Sequence, residues 1–332
     1  MTKLTTPAVA CCPAVGAVDL KAVLHFRAGP GFRQRLRMRS PDWLDIAIIE
    51  PGDPALAAEM RDAEVLLHVL EPATAEVLAL APGLRLVQKI GVGVNTIDLA
   101  YAREHRISVA NMPGTNTQAV AEMTLMLMLA ALRKVRQLDM DTRDGRGWSG
   151  DPARFDRVGE IAGRTIGLIG YGAVPVKLAP ALSALGAKVI YSALSPKLDA
   201  VGEARDLPTL IAEADIISLH VPETPETRDM IDAAAIAAMK PGTILINTAR
   251  GGLIDEAALV SALKCGQIAA AGLDVFDREP LDPGNPLLAL DNIVVTPHVA
   301  WLTPETLARS LGVVFENCRR LRDGEALLNP VD

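Results

Sequence analysis

TIGLIGYGAVPVKLAPAL, residues 165–182, is the stretch from which the fold can be read. A short apolar run, TIGLI, enters Gly170-Tyr171-Gly172-Ala173-Val174-Pro175, and a helix-compatible segment continues to Leu185. KVIY at 188–191 then offers a second strand. In a G-x-G-x-x-G turn the first glycine makes the bend and the second lets backbone approach a pyrophosphate. The phosphates rest on the helix N-terminus, where N–H groups have no partner within the helix. Glycine spacing alone is a weak signal, but a turn set between strand and helix has the context that confirms it. The expectation is a dinucleotide site that includes Gly170, Tyr171, Gly172, Ala173 and Val174.

Two features depart from the usual turn. Pro175 replaces the third glycine; in the first helical turn a proline loses no helix hydrogen bond, but its ring must fit against the strand. Pro180, deeper in the same segment, is expected to kink the helix. The second departure follows KVIY, where an acid would bind a ribose 2′-hydroxyl and select NAD. The chain reads Tyr191-Ser192-Ala193-Leu194-Ser195-Pro196-Lys197, with no carboxylate. Ser192, Ser195 and Lys197 suit a 2′-phosphate instead, so NADP is favoured and NAD stays open.

Outward from this turn, two series of short β-rich runs follow one another. The first comprises 22–26, 45–49, 64–69, 85–90 and 107–109. The second comprises 165–169, 188–191, 216–219, 243–247, 270–274 and 293–296. Apolar runs separated by helical segments predict parallel sheets covered on both faces, here a doubly wound α/β fold with six strands in the second series. Residues 119–135 read as one long helix, apolar all round and therefore buried in a core or interface. Residues 143–157 read as an exposed loop. A last helix, Glu305 to Arg322, has apolar residues at helical spacing. If it returns to the first series, the first domain is discontinuous: residues 1–112 with 303–332, around a dinucleotide domain of 113–302.

Bulk properties narrow the function. The chain has 332 residues, which favours two domains, with 50% hydrophobic and 22% charged residues, an ordinary globular composition. Net charge is −7 and only 3% of residues are aromatic, which argues against nucleic acid or an anionic membrane as partner. The longest apolar run contains Glu122 and is too short for a bilayer span. Cys11, Cys12, Cys265 and Cys318 form no C-x-x-C pair, so the expected setting is reducing and cytoplasmic, with no structural metal. The residues before the first strand read as a ragged leader rather than a signal peptide.

Ligands of open α/β sheets bind beyond the carboxyl ends of the strands. In the second series those ends carry His220-Val221-Pro222, then Asn247-Thr248-Ala249-Arg250, then Asp274 with Glu279, then Pro297-His298. Singly, each would pass as a turn or surface residue; together on a dinucleotide fold they suit oxidation of a hydroxy acid. Arg250 has the planar fork to hold a carboxylate and polarise a C2 oxygen. His298 is a general base whose ordinary pKa lies near neutrality. Glu279 would orient the imidazole and stabilise its charged form.

At these residues the chain resembles the D-isomer-specific 2-hydroxyacid dehydrogenase family, over nearly everything from Glu64 to Asn329. The resemblance is carried by KIGVGVNTID (89–98), NTQAVAEMTLML (116–127), GRTIGLIGYG (163–172) and ISLHVPETPET (217–227). It continues through MKPGTILINTARGGLIDEAAL (239–259), GLDVFDREP (272–280) and TPHVAW (296–301). It implies a Rossmann cofactor domain, a flavodoxin-like substrate domain and an active site in the cleft between them. It implies Arg250, Glu279 and His298 as catalytic residues and backbone N–H groups at Val92 and Gly93 as the substrate carboxylate site. Val120, His220, Val221, Pro222, Thr227, Thr248, Ala249, Asp274 and Ala300 would line the cofactor, with Asp274 on the nicotinamide carboxamide. Residues 119–135 resemble the element through which relatives dimerise. Glu279 separates the chain from formate dehydrogenases, which place a glutamine there. Trp301 resembles the aromatic wall of the glyoxylate and hydroxypyruvate reductase branch, the expected activity. A phosphoglycerate-type dehydrogenase, a non-catalytic dinucleotide sensor of the corepressor type and, more distantly, a flavin protein are the alternatives.

Overall fold

The computed structural model describes residues 19–149, 152–156, 158–195 and 197–331. Cys11, Cys12 and the leader expectation lie outside these residues, as does Pro196. The chain divides into two compact units, one reaching to Pro113 and resuming at Ala308, the other Gly114–Leu307.

The first unit alternates strand and helix: β1 (Leu20–His25), α1 (Pro30–Arg39), β2 (Leu44–Ile49), α2 (Leu56–Met60), β3 (Val65–His68), α3 (Ala75–Ala79), β4 (Leu86–Lys89), α4 (Leu99–Glu104) and β5 (Ser108–Ala110). The pairings among these five strands are parallel and the sheet order is β2-β1-β3-β4-β5, the flavodoxin-like order that the resemblance implied. Every residue of β3 and β4 is buried, the polar His68, Gln88 and Lys89 included, so VLLH and LVQK show no in–out alternation. Short helices begin at side-chain caps: Thr74 accepts from the Val77 N–H and Asp98 from the Tyr101 N–H.

The second unit holds α5 (Thr117–Leu132), α6 (Val135–Arg143), β6 (Thr165–Ile169), α7 (Ala173–Ala184), β7 (Lys188–Ser192), β8 (Glu203–Ala204), α8 (Leu207–Glu213), β9 (Ile216–Leu219), α9 (Ala233–Ala238), β10 (Thr243–Asn247), α10 (Glu256–Cys265), β11 (Ile268–Leu273) and β12 (Ile293–Val295). Its sheet runs β12-β11-β10-β9-β6-β7-β8, all parallel. Seven strands stand where six were expected. The addition, β8, is two exposed residues with no apolar signal and pairs only at the sheet edge. Strand order reverses between β6 and β9, so the crevice for a ligand opens at the ends of those two strands.

The expected single helix at 119–135 is two helices. Lys134 sits between them with φ of 50°, a left-handed residue that ends α5 and redirects the chain. The segment read as a loop from 143 contains a short 3-10 turn at Pro152–Phe155. α7 continues through Pro180 as one helix, with Pro175 buried in its first turn. The last helix, α11 (Pro304–Asp323), has its residues from Ala308 onward in the first unit. Asn317 on it donates to Gln88 Oε1 at 2.6 Å, and Val331 N–H donates to the Val109 carbonyl.

Candidate active site

The glycine turn is shaped as its sequence requires. Gly170 has φ of 94°, and a Cβ there would lie 2.6 Å from the His220 carbonyl oxygen. Its N–H donates to Ser192 O, so β6, β7 and β9 converge on it. Gly172 is the N-cap of α7 and brings no side-chain cap to it, and among the described residues a Cβ at Gly172 would meet nothing within 4 Å. Open space over uncapped N–H groups at the start of a twelve-residue helix is what a pyrophosphate needs, so the residues fit a dinucleotide.

From Ser192 to Lys197 the sequence beyond β7 carries no acid. Lys197 Nζ donates to Ser195 Oγ at 3.2 Å, and both are exposed. Tyr171 ties this segment to the glycine turn, its hydroxyl bonding both the N–H and the carbonyl of Val201 at 2.8 and 3.1 Å. Its ring packs on Tyr191 with centroids 4.4 Å apart.

Beyond β11 and β12 the chain builds a second arrangement. Asp274 is wholly buried, and its carboxylate takes three donors: Thr296 Oγ1 at 2.5 Å, Val299 N at 2.9 Å and Ala300 N at 2.9 Å. Burial pushes the Asp274 carboxyl upward, and those three donors oppose the rise. The Asp274 carbonyl accepts from His298 N–H at 2.8 Å. His298 itself has φ of 55°, a conformation that costs a non-glycine residue roughly 1–2 kcal/mol, and the clasp from Asp274 holds it there.

Thus held, His298 Nδ1 lies 2.6 Å from Glu279 Oε2. An ionised carboxylate only accepts, so Nδ1 carries the proton and Nε2 is left for other chemistry. Glu279 is fixed in turn by the Phe276 N–H, which donates to Oε1 at 2.9 Å. Arg250 follows β10; its Nη1 donates to the Ala249 carbonyl at 2.6 Å. Burial draws the guanidinium below its usual range, while Glu279 and Glu223 favour its charge. Arg250, Glu279 and His298 are therefore gathered at one edge of one sheet.

Other residues named from sequence hold the edge together. Thr248 Oγ1 meets Thr124 Oγ1 at 2.9 Å, tying β10 to α5, and Val120 accepts from Thr124 Oγ1. Thr227 Oγ1 donates to the Pro222 carbonyl and accepts from Thr224 N, which shapes the turn after Val221. His220 is kept neutral by burial, its pKa lowered to about 3, and bonds Ser218 Oγ at 2.9 Å. Ala300 and Trp301 are buried. In the first unit, Val92 is exposed, and among the described residues no hydrogen bond uses the N–H of Val92 or Gly93. Thr296, Thr124, Glu223 and Arg228 were not singled out from sequence. Thr296, two residues before His298, was the most accessible of them, since a hydroxyl beside a catalytic turn is a ready donor to a buried acid.

Residues 125–300 match the family described as "D-isomer specific 2-hydroxyacid dehydrogenase, NAD binding domain". The chain is 38% identical over 291 residues to a glyoxylate reductase of Aeropyrum pernix, covering 85% of this chain and 87% of that protein. It is 40% identical over 262 residues to a D-3-phosphoglycerate dehydrogenase of Archaeoglobus fulgidus, covering 78% of this chain but only 49% of that protein, so it spans about half of that relative's length. Among solved structures it resembles the NADPH-dependent glyoxylate/hydroxypyruvate reductase of Sinorhizobium meliloti, in complex with NADP and malonate. There the TM-score is 0.80 at 29% identity, over 94% of this chain and 97% of that one. The chain belongs to the D-isomer-specific 2-hydroxyacid dehydrogenase family. Its second unit is the family's Rossmann domain, which binds NAD(P).

Proposed function

We propose that the protein is an NAD(P)-dependent oxidoreductase that interconverts a small D-2-hydroxy acid and its 2-keto acid, with glyoxylate or hydroxypyruvate reduction as its activity. The observation that carries this reading is the 2.6 Å His298–Glu279 pair set at the same sheet edge as Arg250. The nicotinamide, when bound, supplies or accepts the hydride. Arg250 holds the substrate carboxylate and polarises the C2 oxygen, drawing charge onto it as it becomes alkoxide-like. In reduction His298 Nε2 delivers the proton to that oxygen; in oxidation it takes the proton away. Glu279 keeps the ring oriented through Nδ1 and stabilises the imidazolium.

In this reading the first unit is the substrate domain, with the Val92 and Gly93 N–H groups binding the carboxylate, and Trp301 walls a small substrate. NADP is favoured by Ser192, Ser195 and Lys197 where an acid would select NAD, and the Sinorhizobium meliloti reductase, NADPH-dependent by its description, is consistent with that. Two copies pair through α5, whose Met126 and Leu129 remain exposed, and the setting is cytoplasmic.

The test is oxidation of NADPH and NADH against glyoxylate, hydroxypyruvate, pyruvate, 2-ketobutyrate and 3-phosphohydroxypyruvate, run on the wild type and on His298→Ala. Turnover of a small keto acid should fall at least about a hundredfold in the variant, while dinucleotide affinity stays the same. No oxidation with any keto acid would end this reading. Preference for the phosphorylated substrate would move it to the phosphoglycerate type.

A further inference from the structure

One side chain that the chemistry above does not use joins the turns after β9 and β11, and the backbone beside it bonds the turn after β10. Arg228 lies in the turn after β9. Its Nη1 donates to Glu223 Oε1 at 2.6 Å and its Nη2 to Asp277 Oδ1 at 2.7 Å. Asp277 is two residues before Glu279, in the same turn. The neighbouring Asp229 N–H donates to the Gly252 carbonyl at 2.8 Å, two residues after Arg250.

The packing around these bonds is close. A Cβ on Gly252 would lie 2.4 Å from Glu223 Oε1 and 2.6 Å from Arg228 Nη1. A Cβ on Gly251 would lie 1.8 Å from the Phe276 carbonyl carbon. The Glu223–Arg228 pair thus rests directly on the backbone that follows Arg250, and so does the turn that carries Glu279.

Charge gives the arrangement a consequence. Glu223 is one of the two carboxylates whose field acts on Arg250. A carboxylate beside that guanidinium competes with the carboxylate of a substrate, because both seek the same donors. Arg228 engages Glu223 and Asp277 together and so draws Glu223 Oε1 to itself.

We propose that Arg228 is a positioning residue for substrate binding: it withholds the Glu223 carboxylate from Arg250 and locks together the turns that bear Arg250 and Glu279. The proposal rests on the reading of Arg250 as the group that receives the substrate carboxylate.

Arg228→Gln should raise KM for the 2-keto acid roughly five- to tenfold, with kcat within about threefold and KM for NADPH unchanged, since the ion pairs are half-exposed. Arg228→Lys should recover part of the loss. Adding Glu223→Gln to Arg228→Gln should recover most of it, because the competitor has gone. A purely structural role predicts the reverse, a double variant no better than the single one. That result, or an unchanged KM in Arg228→Gln, or equal losses in kcat and NADPH affinity, would overturn the proposal. Oxalate binding by calorimetry should rank the variants in the same order without turnover. A wild type that reduces no keto acid, yet whose variants keep that order, would therefore fail the proposed activity and leave the role of Arg228 supported. Should Arg228→Gln not fold, Arg228→Lys with and without Glu223→Gln makes the same comparison.

Discussion

At the scale of single residues, this protein places ionisable groups where burial decides their state. His68 is buried at the end of β3, and its pKa is lowered to about 3 by burial, with the charge of Lys89 and then His25 adding to the effect; the Glu71 backbone opposes it. The folded chain therefore holds His68 neutral, while the unfolded chain protonates it below its ordinary value of 6.5. Between those limits the unfolded state binds the extra proton, so stability is fully present above pH 6.5 and falls as pH drops toward 3. Proton linkage sets an upper limit of roughly 5 kcal/mol on this loss. Thermal melts across that window should show His68→Gln with a shallower dependence than wild type. Some slope should persist, because His220 is lowered to about 3 in the same direction. Identical slopes would show that His68 does not titrate in this way. His298 illustrates the other side of this scale: its identity is legible in TPHVAW, but its left-handed φ and the three donors on Asp274 are not. Those depend on residues that meet only after β11 and β12 pair.

At the scale of elements, the strand–turn–helix at β6 and α7 separates two uses of glycine. Gly170→Ala should cost stability, roughly 2–4 kcal/mol, because its Cβ meets the His220 carbonyl and its φ is left-handed. Gly172→Ala has room for the Cβ and an ordinary φ of −91°, so it should melt like the wild type but bind NADPH more weakly. Melting curves beside NADPH fluorescence titrations distinguish the two. A Gly172→Ala protein with undiminished affinity would mean that the pyrophosphate does not lie over that glycine. This element was readable from sequence because all its parts are local. The break between α5 and α6 was not, because nothing in the apolar pattern announces a left-handed lysine at 134. Neither was β8, whose two residues carry no burial to leave a pattern.

At the scale of the whole molecule, the first unit is completed by residues that return after the second has been built. Asn317 on α11 donates to Gln88 Oε1 in a buried contact, and donates to the Leu328 carbonyl and accepts from the Leu328 N–H in partly buried ones. Pro330 pairs with Ala110 as an antiparallel bridge. Asn317→Leu leaves three polar groups without partners and should destabilise the first unit by about 2–4 kcal/mol. NADPH binding, a property of the second unit, should be retained. A variant that melts like the wild type would show that this network contributes nothing. The amino-acid sequence by itself determined the two parallel βα series, the glycine turn and the identity of Arg250, Glu279 and His298, because burial period and turn chemistry act between near neighbours. Tertiary structure alone decided the clasp of Asp274 on the histidine turn, the bond from Arg228 to Asp277, and the return of Asn317 to Gln88. Each joins groups distant along the chain, and only the packing of strands and helices chooses which of many possible partners come within hydrogen-bonding reach.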